Sequence, residues 1–338
     1  MSDSRNRSQT WRLHRLTALV VVAGVLAGAA LIGLAWVAGF HKVLTGLVHP
    51  HWLWLGIAVV GEAAAYAGYT AAYAEVARAE DGAELGAPTA AALVAVGFGV
   101  FVHGGGFALD RTALQHAGLP ETEARRRVLG LAVLEYAVLA PATLVAAVIV
   151  LLFHNSISPS LTVPWILGVP IGAAIALPAV RYRKNVARWR FVGASLAHAL
   201  NALSLVLGIL RRPGTYRLAL PGTLVYWAGD IFCLWAMLHA FSAHPPPIAQ
   251  LIVGYATGYA LTRRALPLGG AGIVEALLPF ALSWLGIALS PALLAVFAYR
   301  LVNLWLPIVP ALAGLPTLRS LERGRAGSKR GTPSEHRA

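Results

Sequence analysis

The stretch RRALPLGGAGIVEALLPF, residues 263–280, decides how the rest of the chain is read. Long apolar runs flank it, yet it holds two arginines, two prolines, three glycines and a glutamate. Successive glycines and proline both interrupt a helix, the first by backbone freedom and the second by a lost donor and a clash. The charges therefore stand at a break in the backbone, inside sequence that is otherwise hydrophobic.

That sequence is 338 residues long, 58% hydrophobic and 12% charged, with a mean hydropathy of +0.67. A soluble domain carries about 25% charged residues, so the composition predicts an all-α polytopic integral membrane protein, a helical bundle. Runs near the ~20 residues that cross a ~30 Å hydrocarbon core recur along the chain. They divide it into a basic cytoplasmic N-terminus (1–15), a transmembrane domain (16–318) and a basic disordered tail (319–338). The run from about Leu16 to Phe40 is long enough to be a retained span and not a cleaved signal peptide.

The net charge of +13 is distributed as topogenic cations, not as a nucleic-acid footprint. Arg5, Arg7, Arg12 and Arg15 precede the first run. Arg181, Arg183, Lys184, Arg188 and Arg190 fill one short loop, and Arg319, Arg323, Arg325, Lys329, Arg330 and Arg337 lie in the tail. Such clusters mark the cytoplasmic side of a membrane, where they also meet anionic headgroups. No free basic helix with interleaved aromatics is present, so no nucleic-acid partner is expected. Cys233 is the only cysteine, which excludes an intramolecular disulfide and a thiolate zinc site.

Spans are expected at about 16–40, 51–77, 124–153, 162–180, 190–210, 218–242 and 290–316, with kinks at Pro141, Pro170, Pro307 and Pro310. Two regions, 89–118 and 248–287, instead read as an apolar half, glycines, and a charged half. Broken or re-entrant helix pairs fit this pattern, with elbows at Gly104, Gly105 and Gly106 and at Pro267, Gly269, Gly270 and Gly272. Two full spans, or glycines serving only close packing, fit it as well.

The two regions repeat at a near-constant offset. Gly106 and Gly272 differ by 166, Asp110 and Glu275 by 165, Gly118 and Gly286 by 168, Glu135 and Arg300 by 165, and Pro141 and Pro307 by 166. This predicts an internal duplication with halves of about 16–153 and 181–318, an architecture common in transporters. Counting crossings then exposes a conflict. Seven spans and two re-emerging hairpins put the termini on opposite faces, although both termini and the 181–190 loop are basic, and Arg211, Arg212 and Arg217 add a further cluster. One expected span among 162–242, or one hairpin, is misassigned. The repeat's orientation stays open with it.

Ionisable groups inside the membrane cost on the order of 3 kcal/mol each and mark function by default. The candidates for substrate contact are Glu62, Asp110, Arg111, Glu135, Asp230, Arg263, Arg264, Glu275 and Arg300. Six of them also have a structural reading: Glu275 at the positive end of a helix dipole, Arg300 in an ion pair, Arg263 and Arg264 snorkelling, and Asp110 with Arg111 as a solvated loop pair. His103, His198 and His239 read as neutral packed side chains. The chain has no HExxH, GxSxG, Walker loop or Cys/His ligand set, so neither an enzyme, a metal nor a cofactor is expected.

The run LPLGGAGIVEALLPFALSWLGIALSPALLAVFAYRLVNLWLP resembles the lysylphosphatidylglycerol synthase transmembrane-region family, the flippase domain of multiple peptide resistance factors. Pro267, Gly269, Gly270, Gly272, Glu275, Gly286 and Arg300 occupy its C-terminal signature. Gly106, Asp110, Arg111, Gly118 and Ala124, with Glu135 beyond, resemble the earlier block, although the family's acid usually lies nearer the glycine. The resemblance spans roughly 16–318. It implies a multi-pass protein of the bacterial cytoplasmic membrane, N-terminus cytoplasmic, that moves phospholipid, in the best-known members aminoacylated phosphatidylglycerol. Those members carry a synthase domain after the membrane part. This sequence runs about 20 residues past its last expected span, so a separate lipid-synthesising enzyme is the expected partner. The expected activity is flippase-like movement of a phospholipid through a charged mid-membrane groove. The alternatives are a small-solute or ion-coupled transporter, and a non-transporting partner of a cell-envelope lipid or glycan enzyme.

Overall fold

The computed structural model describes residues 50–99, 106–153, 158–186, 188, 193–241, 244–260 and 273–305, with Val25, Ala29, Ile32, Gly33, Trp36 and His41. Among these residues every regular element is helical and no strand occurs. Four helices are long and apolar enough to cross a membrane: Glu121–Phe153, Pro159–Asn185, Gly193–Leu210 and Ala219–Ala240. The chain is all-α, with the make-up of a membrane protein.

The centre is a helix pair. α1 (Trp52–Arg78) is an alanine-rich helix of 27 residues, about 40 Å long. It is not among those four long apolar helices, because Glu62, Tyr66, Tyr69, Thr70, Tyr73 and Glu75 interrupt it. Its partner is α7 (Ala219–Ala240). A Cβ on Gly68 would lie 2.5 Å from the Gly222 carbonyl oxygen, and one on Gly229 2.5 Å from that of Gly61. Rising numbers on one helix meet falling numbers on the other, so the pair is antiparallel. Glycine is required at these four positions because the backbones touch. In lipid, where no hydrophobic force draws helices together, such close approach supplies the packing.

Around this pair lie α2 (Ala87–Gly99), α3 (Gly106–His116), α4 (Glu121–Phe153), α5 (Pro159–Ala179), α6 (Gly193–Leu210), α8 (Ile248–Tyr255), α9 (Ile273–Trp284) and α10 (Leu289–Arg300). α5 runs on through Val180–Tyr182 into a helical turn at Arg183–Val186, and α8 and α10 continue into π-helical segments at Ala256–Ala260 and Leu301–Trp305. In its most apolar window α7 is 67% buried and α5 only 6%, which places α7 at the centre and α5 at the rim. α4 stays helical through Pro141, and α5 through Pro164 and Pro170.

The expected interruptions at 89–118 and 248–287 each contain two short helices: α2 and α3 in the first, α8 and α9 in the second. Gly106 opens α3. The elbow residues Gly104, Gly105, Pro267, Gly269, Gly270 and Gly272, and the candidates Arg263 and Arg264, lie outside the described residues. α3 and α9 end alike. Gly118 (φ 101°) and Gly286 (φ 90°) take the left-handed conformation. Leu119 N–H donates to the Leu114 carbonyl at 3.1 Å, as Ile287 N–H does to Leu282 at 3.2 Å. Both are glycine-terminated Schellman caps.

One end of the molecule is tied by arginines. Arg127 at the start of α4, only 2% exposed, donates from Nε to the Ala77 carbonyl at 3.1 Å and from Nη2 to that of Ala79 at 2.7 Å, with Nη1 on the Glu123 carboxylate at 2.6 Å. It satisfies carbonyls that the C-terminus of α1 leaves without helical partners. Arg126 bonds Glu80 at 2.7 Å, Arg78 donates to the Thr215 carbonyl, and the Glu80 N–H donates to the Tyr216 hydroxyl at 3.2 Å. At the opposite end of the α1–α7 pair, Trp54 stacks on His239 with centroids 4.4 Å apart.

Candidate functional site

Four candidate side chains from four helices converge in one buried network. Asp230 of α7, 0% exposed, accepts from Tyr255 Oη at 2.5 Å on Oδ2, and from Tyr299 Oη at 2.7 Å and Asn303 Nδ2 at 3.0 Å on Oδ1. The same Asn303 nitrogen donates to Glu62 Oε1 on α1 at 3.1 Å, while its Oδ1 accepts from Tyr259 at 2.8 Å. Arg300 of α10 donates from Nε to Glu275 Oε1 of α9 at 2.8 Å and sits 5.7 Å from the centre of the Tyr259 ring.

Local structure explains the convergence. Tyr255 and Tyr259, and likewise Tyr299 and Asn303, stand four residues apart across the junction of an α-helix with a π-helical segment. Residues at that spacing share a helix face. π-helical turns recur at functional sites, where the wider turn re-aims side chains.

The energetics make this an expensive arrangement. Glu62 Oε1 and Asp230 Oδ1 both lie within 3.1 Å of one nitrogen, hence about 6 Å apart or less. Two anions at that distance repel by about 3 kcal/mol at an effective dielectric near 20. Donors from Asn303 and the tyrosines offset that repulsion. The Arg300–Glu275 pair, 3% and 5% exposed at the side chains, costs desolvation that its attraction only partly returns. An apolar packing would be cheaper, so stability alone does not account for these residues.

Beside the network runs a groove of about 960 Å³, within the ~300–1,000 Å³ range of ligand cavities. Its walls are small and apolar: Ala63, Ala67 and Ala71 of α1 face Ala87, Ala91 and Ala95 of α2. Along α1 a polar stripe, Glu62, Tyr66 and Thr70, follows the groove at helical spacing. Glu75, Arg78 and Glu84 stand at its arginine-tied end. Glu62 belongs to both features: it lines the groove and is held by Asn303.

Three further described candidates stand on α3 and α4. Arg111 pairs with Glu121 at 3.8 Å, the two side chains 41% and 69% exposed, which is a surface ion pair. Asp110 is buried on α3, within electrostatic reach of the buried Tyr73. Glu135 is buried on α4; its backbone carbonyl accepts from Trp227 Nε1 at 2.9 Å, and that indole packs edge-on against Tyr255 at 6.0 Å. The sequence reading missed Asn303, Tyr255, Tyr259 and Tyr299. Their signal was the four-residue spacing of hydroxyl and amide groups next to intramembrane charges.

Among the described residues no group of three or more His, Cys, Asp or Glu side chains is placed to hold a metal ion. No family model matches the chain, and no curated protein or solved structure matches it.

Proposed function

We propose that the protein translocates phospholipid across a bacterial cytoplasmic membrane, with the headgroup passing along the polar stripe of α1 while the acyl chains stay in hydrocarbon. The observation that carries this reading is the double membership of Glu62. A groove with apolar walls and one polar edge suits an amphiphile, and it ends on a side chain wired to a buried acid–base network. In this reading Arg300 supplies the positive group for the lipid phosphate. Glu275, Glu62 and Asp230 supply the negative groups that balance it or meet an ammonium on the headgroup.

The same proposal takes the short helices α2/α3 and α8/α9 as two broken pairs whose interruptions lie at membrane depth, related by an inverted repeat. Antiparallel α1 and α7 support the inversion. Gly61–Glu62 crosses Gly229–Asp230 at an offset of 168 residues, the offset that also relates Gly118 to Gly286 and their matching caps. It further takes the resemblance to the lysylphosphatidylglycerol synthase transmembrane region as kinship, the basic N-terminus as cytoplasmic, and a separate enzyme as the source of the lipid.

The test is reconstitution in liposomes carrying fluorescent phospholipids of anionic and amine-bearing headgroups. The expected result is headgroup movement faster than in empty vesicles and lost on Glu62→Gln. Rates equal to empty vesicles for both headgroup classes would overturn the reading.

A further inference from the structure

We infer that α6 does not cross the membrane: both of its ends stay on one face, so that the basic groups before and after it form a single surface for anionic phospholipid headgroups of that leaflet.

The length of α6 decides this. Arg126, six residues into α4, pairs with Glu80 in the turn that follows α1, and both side chains are partly exposed at 23% and 46%. That fixes their level near the arginine-tied end. The Asn201 carbonyl accepts from Arg126 Nε at 3.3 Å, and a Cβ on Gly208 would lie 3.6 Å from Glu80 Oε1. From Asn201 back to the start of α6 at Gly193 is eight residues, about 12 Å. The opposite interface is about 30 Å away. The start of α6 therefore cannot reach it.

The neighbouring helices require the same outcome. α7 begins at the arginine-tied end, because Gly222 meets Gly68 and Gly229 meets Gly61. α8 follows α7 at the opposite end, and Trp165 near the start of α5 donates to Thr257 just beyond α8 at 3.0 Å. α5 thus starts on the far side. Its apolar length, Pro159–Asn185, is about 40 Å and returns the chain to the arginine-tied end before α6 begins.

Charge agrees with geometry. Arg181, Lys184, Arg211, Arg212 and Arg217 are all exposed. The far-end stretches 50–55, 150–153, 158–165, 236–241 and 244–252 contain no Arg or Lys. Lys/Arg-rich segments stay on one side of a membrane, and a crossing α6 would put one of the two clusters on the wrong side. Gathered on one face, they attract anionic lipid over the range of a Debye length. The misassigned span among 162–242 is then the one expected at 190–210.

The test uses single cysteines in a Cys233→Ala background, Lys184→Cys, Gly214→Cys and Ser160→Cys, labelled with a membrane-impermeant maleimide in intact cells and in inverted vesicles. Positions 184 and 214 should label from the same side and 160 from the other. Labelling of 184 and 214 from opposite sides overturns the inference. Trypsin cleavage of the unaltered protein at Arg188 and Arg217, both exposed, in one vesicle orientation gives the same readout without substitution. For the lipid surface, phosphatidylglycerol titrated into detergent-solubilised protein should raise the melting temperature more than phosphatidylcholine does. R181Q/K184Q/R212Q should lose at least half of that difference. An undiminished difference overturns the surface while leaving the topology to the labelling.

Discussion

Gly68 and Gly222 meet backbone to backbone: a Cβ added to either would lie 2.5 or 2.6 Å from the carbonyl oxygen of the other. No side-chain rotation relieves such a contact, so the helices must separate. Gly68→Ala should cost about 2–3 kcal/mol by overpacking, read as earlier loss of monodisperse protein on heating in mild detergent. Gly168→Ala, on the open face of α5 where a Cβ meets nothing within 4 Å, should be neutral or stabilising by about 0.5 kcal/mol. Equal behaviour of the two variants would sink the backbone-contact account.

Asn303 is the shared donor between Glu62 and Asp230. Asn303→Leu preserves bulk but leaves two carboxylates about 6 Å apart without it, which should destabilise by about 2–4 kcal/mol. The defect has a signature. Adding Asp230→Asn removes one of the repelling charges, so the double variant should be more stable than Asn303→Leu alone. A double variant less stable than the single would show that Asn303 acts through packing and not through charge.

Much of the fold was legible because lipid forces a simple grammar of apolar length. The expected span 124–153 falls within α4 and 218–242 covers α7. The convergence of Glu62, Asp230, Glu275 and Arg300 was readable only as a set of costs, since spacing along a chain does not report distance between helices. Arg111 shows the limit: the sequence left it open between a substrate group and a solvated pair with Asp110, and its ion pair with Glu121 on the next helix was not legible. α6 matches the span expected at 190–210 in extent and apolar composition. Its contacts with Arg126 and Glu80, from which its depth is inferred, were not legible because neither residue is near it in sequence. Asn303 and the three tyrosines stayed hidden because uncharged hydroxyl and amide groups scarcely lower the hydropathy of a run.

Glu275 and Arg300 form a pair with its own test. Removing either partner alone takes an ion-pair contact from a buried charge, which costs up to about 3–5 kcal/mol. The Glu275→Gln/Arg300→Met double variant removes both charges and should lose less than the sum of the singles, with a coupling of about 1 kcal/mol or more in a denaturation cycle. Additive losses would mean that the two residues are held by separate surroundings.

The proposed lipid path along the groove can be tested separately from stability. Ala67 lies on the exposed face of α1 that lines the groove, while Ala65 two residues earlier is 1% exposed in the core against α7. Ala67→Trp fills the groove without disturbing the helix pair, so the melting temperature should hold while lipid movement falls about tenfold or more, equivalent to ~1.4 kcal/mol on the barrier. Ala65→Trp should instead lower the melting temperature, because Gly229 already brings the backbones into contact at that position. Scrambling by Ala67→Trp at the unaltered rate, in protein that stays folded, would show that lipid takes another path. The polar stripe Glu62, Tyr66 and Thr70 would then have to be explained as structure alone.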